Sequence, residues 1–224
     1  VKKGTDGGGG FDVIIGNPPY FNLQTIRDKS QTVYFEKNYE SYRGKADILY
    51  FFIEKSLNLL KEEGYLGLIV ANYFLRSYYA DKLRKLILKK SKIVKIIDFG
   101  SIKLFADANV DTCVLILKKN KTPKGKYTYG ILFQETALAE FLIQNQKASA
   151  IDSTKYKLLT GNQSDLTEQA WQFDKGKYFG TQPLQEICFI GKGAATGNDE
   201  IFVIEDRKAR ELGLEKELLD KKDK

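Results

Sequence analysis

An α/β fold built on a largely parallel sheet is predicted for this chain, and three observations carry the prediction. Short apolar runs recur at residues 11–15, 65–70, 92–99 and 110–118, each of strand length. Between them, residues 46–60 and 77–90 space their apolar positions as an amphipathic helix does. The resulting order is strand, helix, strand, helix, strand, strand, and alternation of this kind places helices on the faces of a sheet. At 224 residues and 42% hydrophobic, the chain is long enough for one good core and a smaller second unit.

Residues 1–10, with five glycines among Val, Lys, Thr and Asp, form a polar head that cannot build a core. The first strand then ends abruptly in Gly16-Asn17-Pro18-Pro19-Tyr20. The carboxyl end of a parallel strand is where open α/β sheets bind ligands. Two consecutive prolines fix φ twice and remove two N–H donors, so the turn offers carbonyl acceptors, the Asn17 amide and the Tyr20 ring. That set suits a flat group bearing an NH2.

After a Tyr-rich stretch, the helix at 46–60 is expected to stop at Gly64, with a strand at 65–70 following directly. The helix at 77–90 carries Lys82, Arg84, Lys85, Lys89 and Lys90 and continues into Lys92 and Lys95, a basic run that reads first as a solvated face. Strands at 92–99 and 110–118 flank a connection containing Phe105. Pro123 to Lys126 marks a boundary, beyond which a strand at 127–134 and a helix at 136–146 are expected, then a polar, irregular connection over 150–180.

The run Asp12-Val13-Ile14-Ile15-Gly16-Asn17-Pro18-Pro19-Tyr20 resembles the catalytic motif of amino-methyltransferases, most closely the adenine-N6 DNA methyltransferases of type II and IIG restriction-modification systems. The helix opening Ala46-Asp47-Ile48-Leu49-Tyr50, followed by a glycine and a strand, is similar to the segment after that motif. The resemblance implies that Asn17 and the Pro18 carbonyl accept hydrogen bonds from the target amine, that Tyr20 stacks on a flipped base beside Pro19, and that Phe105 packs on that base. The chemistry is consistent with this. A conjugated exocyclic amine is a poor nucleophile, and two fixed acceptors draw its nitrogen toward a tetrahedral form. Base extrusion costs a few kcal/mol, which stacking at about 1–3 kcal/mol per base offsets.

The same resemblance implies S-adenosylmethionine as methyl donor and double-stranded DNA as partner. Class I methyltransferases bind the donor at a glycine-rich turn after their first strand. No such turn precedes residue 11, and Gly191-Lys192-Gly193 lacks the ending of a phosphate loop. The expectation is therefore the catalytic-side half of a class I, Rossmann-like methyltransferase sheet over residues 11–122. Either the chain is a fragment of a longer polypeptide that carries the donor-binding segment, and any nuclease domain, or that half comes from elsewhere. Such a half-sheet would leave one edge unpaired. Residues 123–180 would connect it to the start of a target-recognition domain at 181–224, where Gly193-Ala194-Ala195-Thr196-Gly197-Asn198 precedes an Ile-Phe-Val-Ile strand and Thr196 and Asn198 approach DNA.

Composition narrows the alternatives. Histidine is absent, which excludes Ser-His and Cys-His catalysis and imidazole metal ligation, so no metal site is expected. Cys113 and Cys188 lie in separate apolar runs and read as buried thiols. The formal net charge of +7 is compatible with a polyanionic partner. No apolar run reaches membrane-spanning length and no secretory signal is visible, so a cytoplasmic location is expected. Two other readings share the motif: a protein glutamine N5-methyltransferase, whose amide NH2 poses the same problem, and a non-catalytic DNA-binding remnant.

Overall fold

A computed structural model describes residues 9–26, 29–105, 110–144 and 151–173. Seven strands form one sheet: β1 (Phe11–Gly16), β2 (Leu60–Ala71), β3 (Ser91–Asp98), β4 (Thr112–Lys119), β5 (Lys126–Leu132), β6 (Ile151–Asp152) and β7 (Tyr156–Asn162). Their spatial order is β1-β2-β4-β3-β5-β7-β6. β1 runs parallel to β2, and β3 to β5, while β4 lies antiparallel between β2 and β3. β1, β2, β3 and β5 therefore point the same way, and their carboxyl ends share one rim of the sheet.

Four helices complete the described fold: α1 (Lys29–Asn38), α2 (Ile48–Leu59), α3 (Asp81–Lys90) and α4 (Leu138–Gln144). On one face Leu66, Leu68 and Val70 of β2 and Leu115 and Leu117 of β4 join Ile53 and Leu57 of α2 and Leu83 and Ile87 of α3 in a single core. The period-2 pattern of the strands meets the helical stripes there, which is why both classes of element were legible. Phe35, Tyr39 and Phe51 add an aromatic cluster at its border, with the rings of Phe35 and Phe51 stacked at 4.4 Å. On the opposite face Ile97, Leu132, Tyr156 and Leu158 pack with Phe141 of α4.

Several expectations need correction. The helix beginning near residue 46 ends at Leu59 rather than at Gly64, and β2 starts at once. Gly64 serves a different purpose: a Cβ there would meet the Phe11 and Asp12 carbonyls at 3.0 Å, so glycine lets the two strands approach where the register shifts. The positive φ of that bend falls on Glu63 (65°). The helix expected at 77–90 is split into a short 3-10 turn, Tyr78–Ala80, and α3. Arg84 leaves the basic face, for it is 2% exposed.

The largest difference lies in residues 123–180. Pro123 sits in a loop within the sheet, since β5 pairs with β3 immediately after it. The stretch expected to be irregular supplies β6 and β7, with all of β5 paired to β7 from Lys126↔Asn162 to Leu132↔Tyr156. Lys157, Thr160 and Asn162 among the apolar positions of β7 disguised an ordinary half-buried strand. Beyond it Trp171 is buried, donating its Nε1–H to the Thr167 carbonyl at 2.7 Å, and Phe173 stacks on Tyr129 at 4.1 Å. Cys113 is a buried free thiol as expected, whereas Cys188 lies outside the described residues.

Among the described residues β1 pairs only with β2, and Phe11, Val13 and Ile15 on its outer face are 45%, 54% and 82% exposed. No described helix is long and apolar enough to cross a membrane.

Packing of α4 on the sheet depends on Gly130, where an added Cβ would collide with the Phe141 ring, lying 2.8 Å from its Cε2. Gly130→Ala should therefore cost about 1–3 kcal/mol by overpacking, measured by urea unfolding. Adding Phe141→Leu should recover part of that loss, and an additive double variant would show that the two positions do not meet.

Candidate active site

The rim at the carboxyl ends of β1, β2 and β3 carries the polar groups of the site. Gly16, paired with Leu68 of β2, is the last ladder residue before the proline turn. Pro18 is buried, Pro19 and Asn17 are exposed, and Tyr20 is half-buried against the core. The Tyr20 hydroxyl donates to Asn17 Oδ1 and lies 3.3 Å from the Ile69 carbonyl on β2. Partial burial, with Cys113 nearby, raises the Tyr20 pKa above its ordinary phenol value, so the hydroxyl remains a donor at neutral pH. The turn therefore holds its own amide acceptor in a fixed direction.

Its exit is pinned to the start of α2. The Leu23 N–H donates to the Ala46 carbonyl at 3.0 Å, and the Ile48 N–H to the Phe21 carbonyl at 3.1 Å. The Asn22 side chain spans the same join, donating to the Lys45 carbonyl and accepting from the Gln24 N–H. Asp47 caps α2 by accepting from the Leu49 N–H at 2.9 Å, and Tyr73 donates to the same carboxylate. Burial raises the Asp47 pKa although both hydrogen bonds oppose the shift. Burial also pushes the neighbouring Tyr50 up to about 12.

A second buried carboxylate stands on the rim at Asp98. It accepts from Asn72 Nδ2 at 2.8 Å, from the Gly100 N–H at 3.0 Å and from the Tyr129 hydroxyl at 2.9 Å. It thus ties the turn after β2 and the end of β3 to the middle of β5. Phe105 is partly buried in the connection that leaves β3 at this rim, and the neighbouring Leu104 packs against the α4 core. Thr196 and Asn198 lie outside the described residues. No three described Asp, Glu or Cys residues are grouped so as to hold a metal ion.

Asn17, Pro18, Pro19 and Tyr20 are thus gathered in one turn, and Phe105 leaves the sheet at the same rim. The sequence reading missed Asn72, Tyr73 and Asp98, which carry hydrogen bonds along the rim. One signal was available: each is a polar or phenolic residue just at or past the carboxyl end of an apolar strand.

Residues 2–105 match the family described as Eco57I restriction-modification methylase. The type II restriction enzyme and methyltransferase RM.Eco57I of Escherichia coli is 38% identical over 112 residues, covering 49% of this chain and 11% of that protein. The type II methyltransferase M.BstVI of Geobacillus stearothermophilus is 28% identical over 232 residues, covering 93% of this chain and 39% of that protein. The chain therefore spans between about a tenth and about two fifths of these relatives. In fold it is similar to the type I restriction-modification methyltransferase subunit from Streptococcus thermophilus, with a TM-score of 0.51 at 18% identity over 71% of this chain and 36% of that one. The likeness is one of fold: a mixed α/β sheet of the kind found in that methyltransferase subunit.

A raised folded-state pKa makes Asp47 bind its proton more tightly in the native protein than in the unfolded chain. Its contribution to stability is greatest below the ordinary carboxylate range and falls as pH rises through the raised value. Asp47→Asn keeps the capping acceptor without the charge. Unfolding free energies measured across that range should show the wild type losing ground to Asp47→Asn as pH increases. A difference that stays constant with pH would contradict the assignment.

Proposed function

We propose that this segment, of the Eco57I restriction-modification methylase type over residues 2–105, forms the amine-binding side of an adenine-N6 DNA methyltransferase. The observation that carries the reading is the turn itself. A donor-poor, doubly proline-fixed loop ends the strand at the ligand-binding rim, with an amide oxygen and a ring held side by side. On this reading Asn17 Oδ1 and the Pro18 carbonyl accept from the adenine N6 amino group, while Tyr20, Pro19 and Phe105 bracket the base.

The Tyr20 hydroxyl bond to Asn17 then has a defined part to play. The arriving amine takes over the Asn17 acceptor, and the Ile69 carbonyl at 3.3 Å is available to the displaced hydroxyl. The amine thus meets an acceptor already aimed, which lowers the reorganisation needed at the reacting nitrogen. The methyl donor on this reading is S-adenosylmethionine. The described residues contain no glycine-rich turn after a strand to cradle it, so they do not fit a donor site. The donor-binding segment, and any nuclease, belong on this reading to further parts of one polypeptide acting on double-stranded DNA in the cytoplasm. Thr196 and Asn198 would serve target recognition there.

Asn17→Ala in the complete polypeptide should lower methyl transfer to duplex DNA by about 10²–10³, as for loss of one preorganised hydrogen-bonding group. DNA and donor binding should stay near wild type. Near-normal turnover in a variant that binds both would remove Asn17 from catalysis, and labelled transfer to a Gly-Gly-Gln peptide instead of DNA would favour glutamine methylation.

Tyr20→Phe keeps the ring and loses only the hydroxyl that aims Asn17, so base binding should be retained with a partial loss of transfer rate. Tyr20→Ala should weaken binding of an unpaired adenine by about 1–3 kcal/mol, with affinity for undistorted duplex nearly unchanged. A fluorescent purine at the target position reports the difference, since its emission is quenched when stacked on the ring. Equal emission from wild type and Tyr20→Ala at saturation would rule Tyr20 out as the stacking platform.

A further inference from the structure

A polar cavity of about 380 Å³ opens beside the rim, lined by Arg43, Arg76, Tyr78, Asp81, Arg84 and Gln169. Its charges do not balance. Asp81 contributes the one carboxylate, and it is committed to Arg43 through Oδ2. Arg43 is further fixed by donating to the Tyr78 hydroxyl at 2.6 Å, its Cζ lying 4.4 Å from that ring's centroid. Two guanidinium groups remain.

Arg84 is 2% exposed, and its recorded acceptors are the carbonyls of Phe74, Ser77 and Glu168 at 2.6, 2.9 and 2.9 Å. Those carbonyls orient the guanidinium but leave its charge uncompensated, and burial lowers its pKa accordingly. Arg76 is exposed, and its side chain has no hydrogen bond or ion pair among the described residues. A cavity holding two such cations, one of them oriented by three backbone acceptors, is electrostatically incomplete.

We infer that this cavity is a phosphate site, filled by the backbone of the nucleic acid strand whose base is presented to the proline turn. The chemistry favours a phosphodiester over a carboxylate or a metal. Planar guanidinium forks match phosphate oxygens bidentately, and Gln169 adds a neutral amide donor at the mouth. The position also fits. Arg76 follows the 3-10 turn Asn72–Leu75 on the rim that carries Asn17, and its charge reaches Tyr129 beside Asp98. Asp81 keeps one buried carboxylate oxygen, Oδ1, without a hydrogen-bond partner. That oxygen repels anions at the Arg43 side, so a phosphate is directed to the Arg76 and Arg84 side.

The identity of the strand rests on the reading of the turn given above, whereas the phosphate chemistry does not, and two measurements keep them apart. In the first, inorganic phosphate is titrated into the full chain while arginine side-chain Nε–H resonances are followed by NMR. Saturable shifts are expected for Arg76 and Arg84, and Arg76→Gln should abolish saturation at Arg84. Absence of saturable shifts at both residues overturns the site. In the second, duplex DNA binding is followed by fluorescence anisotropy at several salt concentrations.

Arg76→Gln should weaken duplex binding about tenfold whatever the sequence, and reduce the salt slope by about one. Arg76→Lys should restore the slope but only part of the affinity. If wild type and Arg76→Gln bind duplex with equal affinity and slope, the backbone assignment is overturned while the catalytic turn is untouched. If the wild type binds phosphate saturably but no duplex, the phosphate site stands and the DNA reading beneath it falls. Arg76 is solvent-exposed, so its replacement leaves the core intact.

Discussion

Two buried carboxylates grip the segment that follows β2, and the geometry of the rim depends on that grip. Asp98 takes Asn72 from the β3 side, and Asp47 takes Tyr73 from the head of α2. Removing carboxylates from water is costly unless their oxygens are met by donors. Three donors meet Asp98, and two meet Asp47. The donors come from the turn after β2, the loop after β3, β5 and α2, so the hydrogen-bonding requirement of two side chains fixes the relative positions of four segments. The proline turn is braced by the same arrangement, through the Asn22–Asp47 bridge and the Ile69 carbonyl.

Arg84 plays the corresponding part for a cation. It draws together the carbonyls of the turn after β2 and of the strap around Glu168, while Trp171 anchors that strap by donating its backbone N–H to the Leu75 carbonyl at 2.7 Å. A lysine there would present a single flexible ammonium, whereas the guanidinium reaches three acceptors from one fixed plane. The strap therefore belongs to the rim although it lies far along the chain from the proline turn. Its removal would unseal the core at Phe74, whose ring meets Trp171 edge-on at 6.4 Å.

What the sequence revealed and concealed follows from where the information resides. The proline turn was legible because its chemistry is local: five consecutive residues carry the acceptors, the rigidity and the ring. Strands β2 to β4 were legible because their apolar positions meet well-covered cores, and β1 because its apolar run ends abruptly in the proline turn, although Phe11, Val13 and Ile15 are exposed. Arg84 was read as part of a solvated lysine face, since its three acceptors are contributed by distant carbonyls that no periodicity encodes. Gly64 was read as a helix stop because a glycine required by the approach of a neighbouring strand is written identically to one required by a cap. β7 was missed for a similar reason: its apolar residues Leu158 and Tyr156 face α4, while Lys157 and Thr160 make the run look polar in one dimension.

The strand that leads into Asn17 holds one ladder among the described residues, whereas β2 and β4 are each paired on both sides. In the hierarchy of local openings, such a strand exchanges its amide protons before the centre of the sheet does. The alignment of the Asn17 acceptor is therefore a population set by how often β1 is docked. Any polypeptide that covers Phe11, Val13 and Ile15 makes undocking more costly and raises that population. Occupancy of an apolar surface on the outer face of the strand and readiness of the turn at its end are then thermodynamically linked, each promoting the other by the same factor.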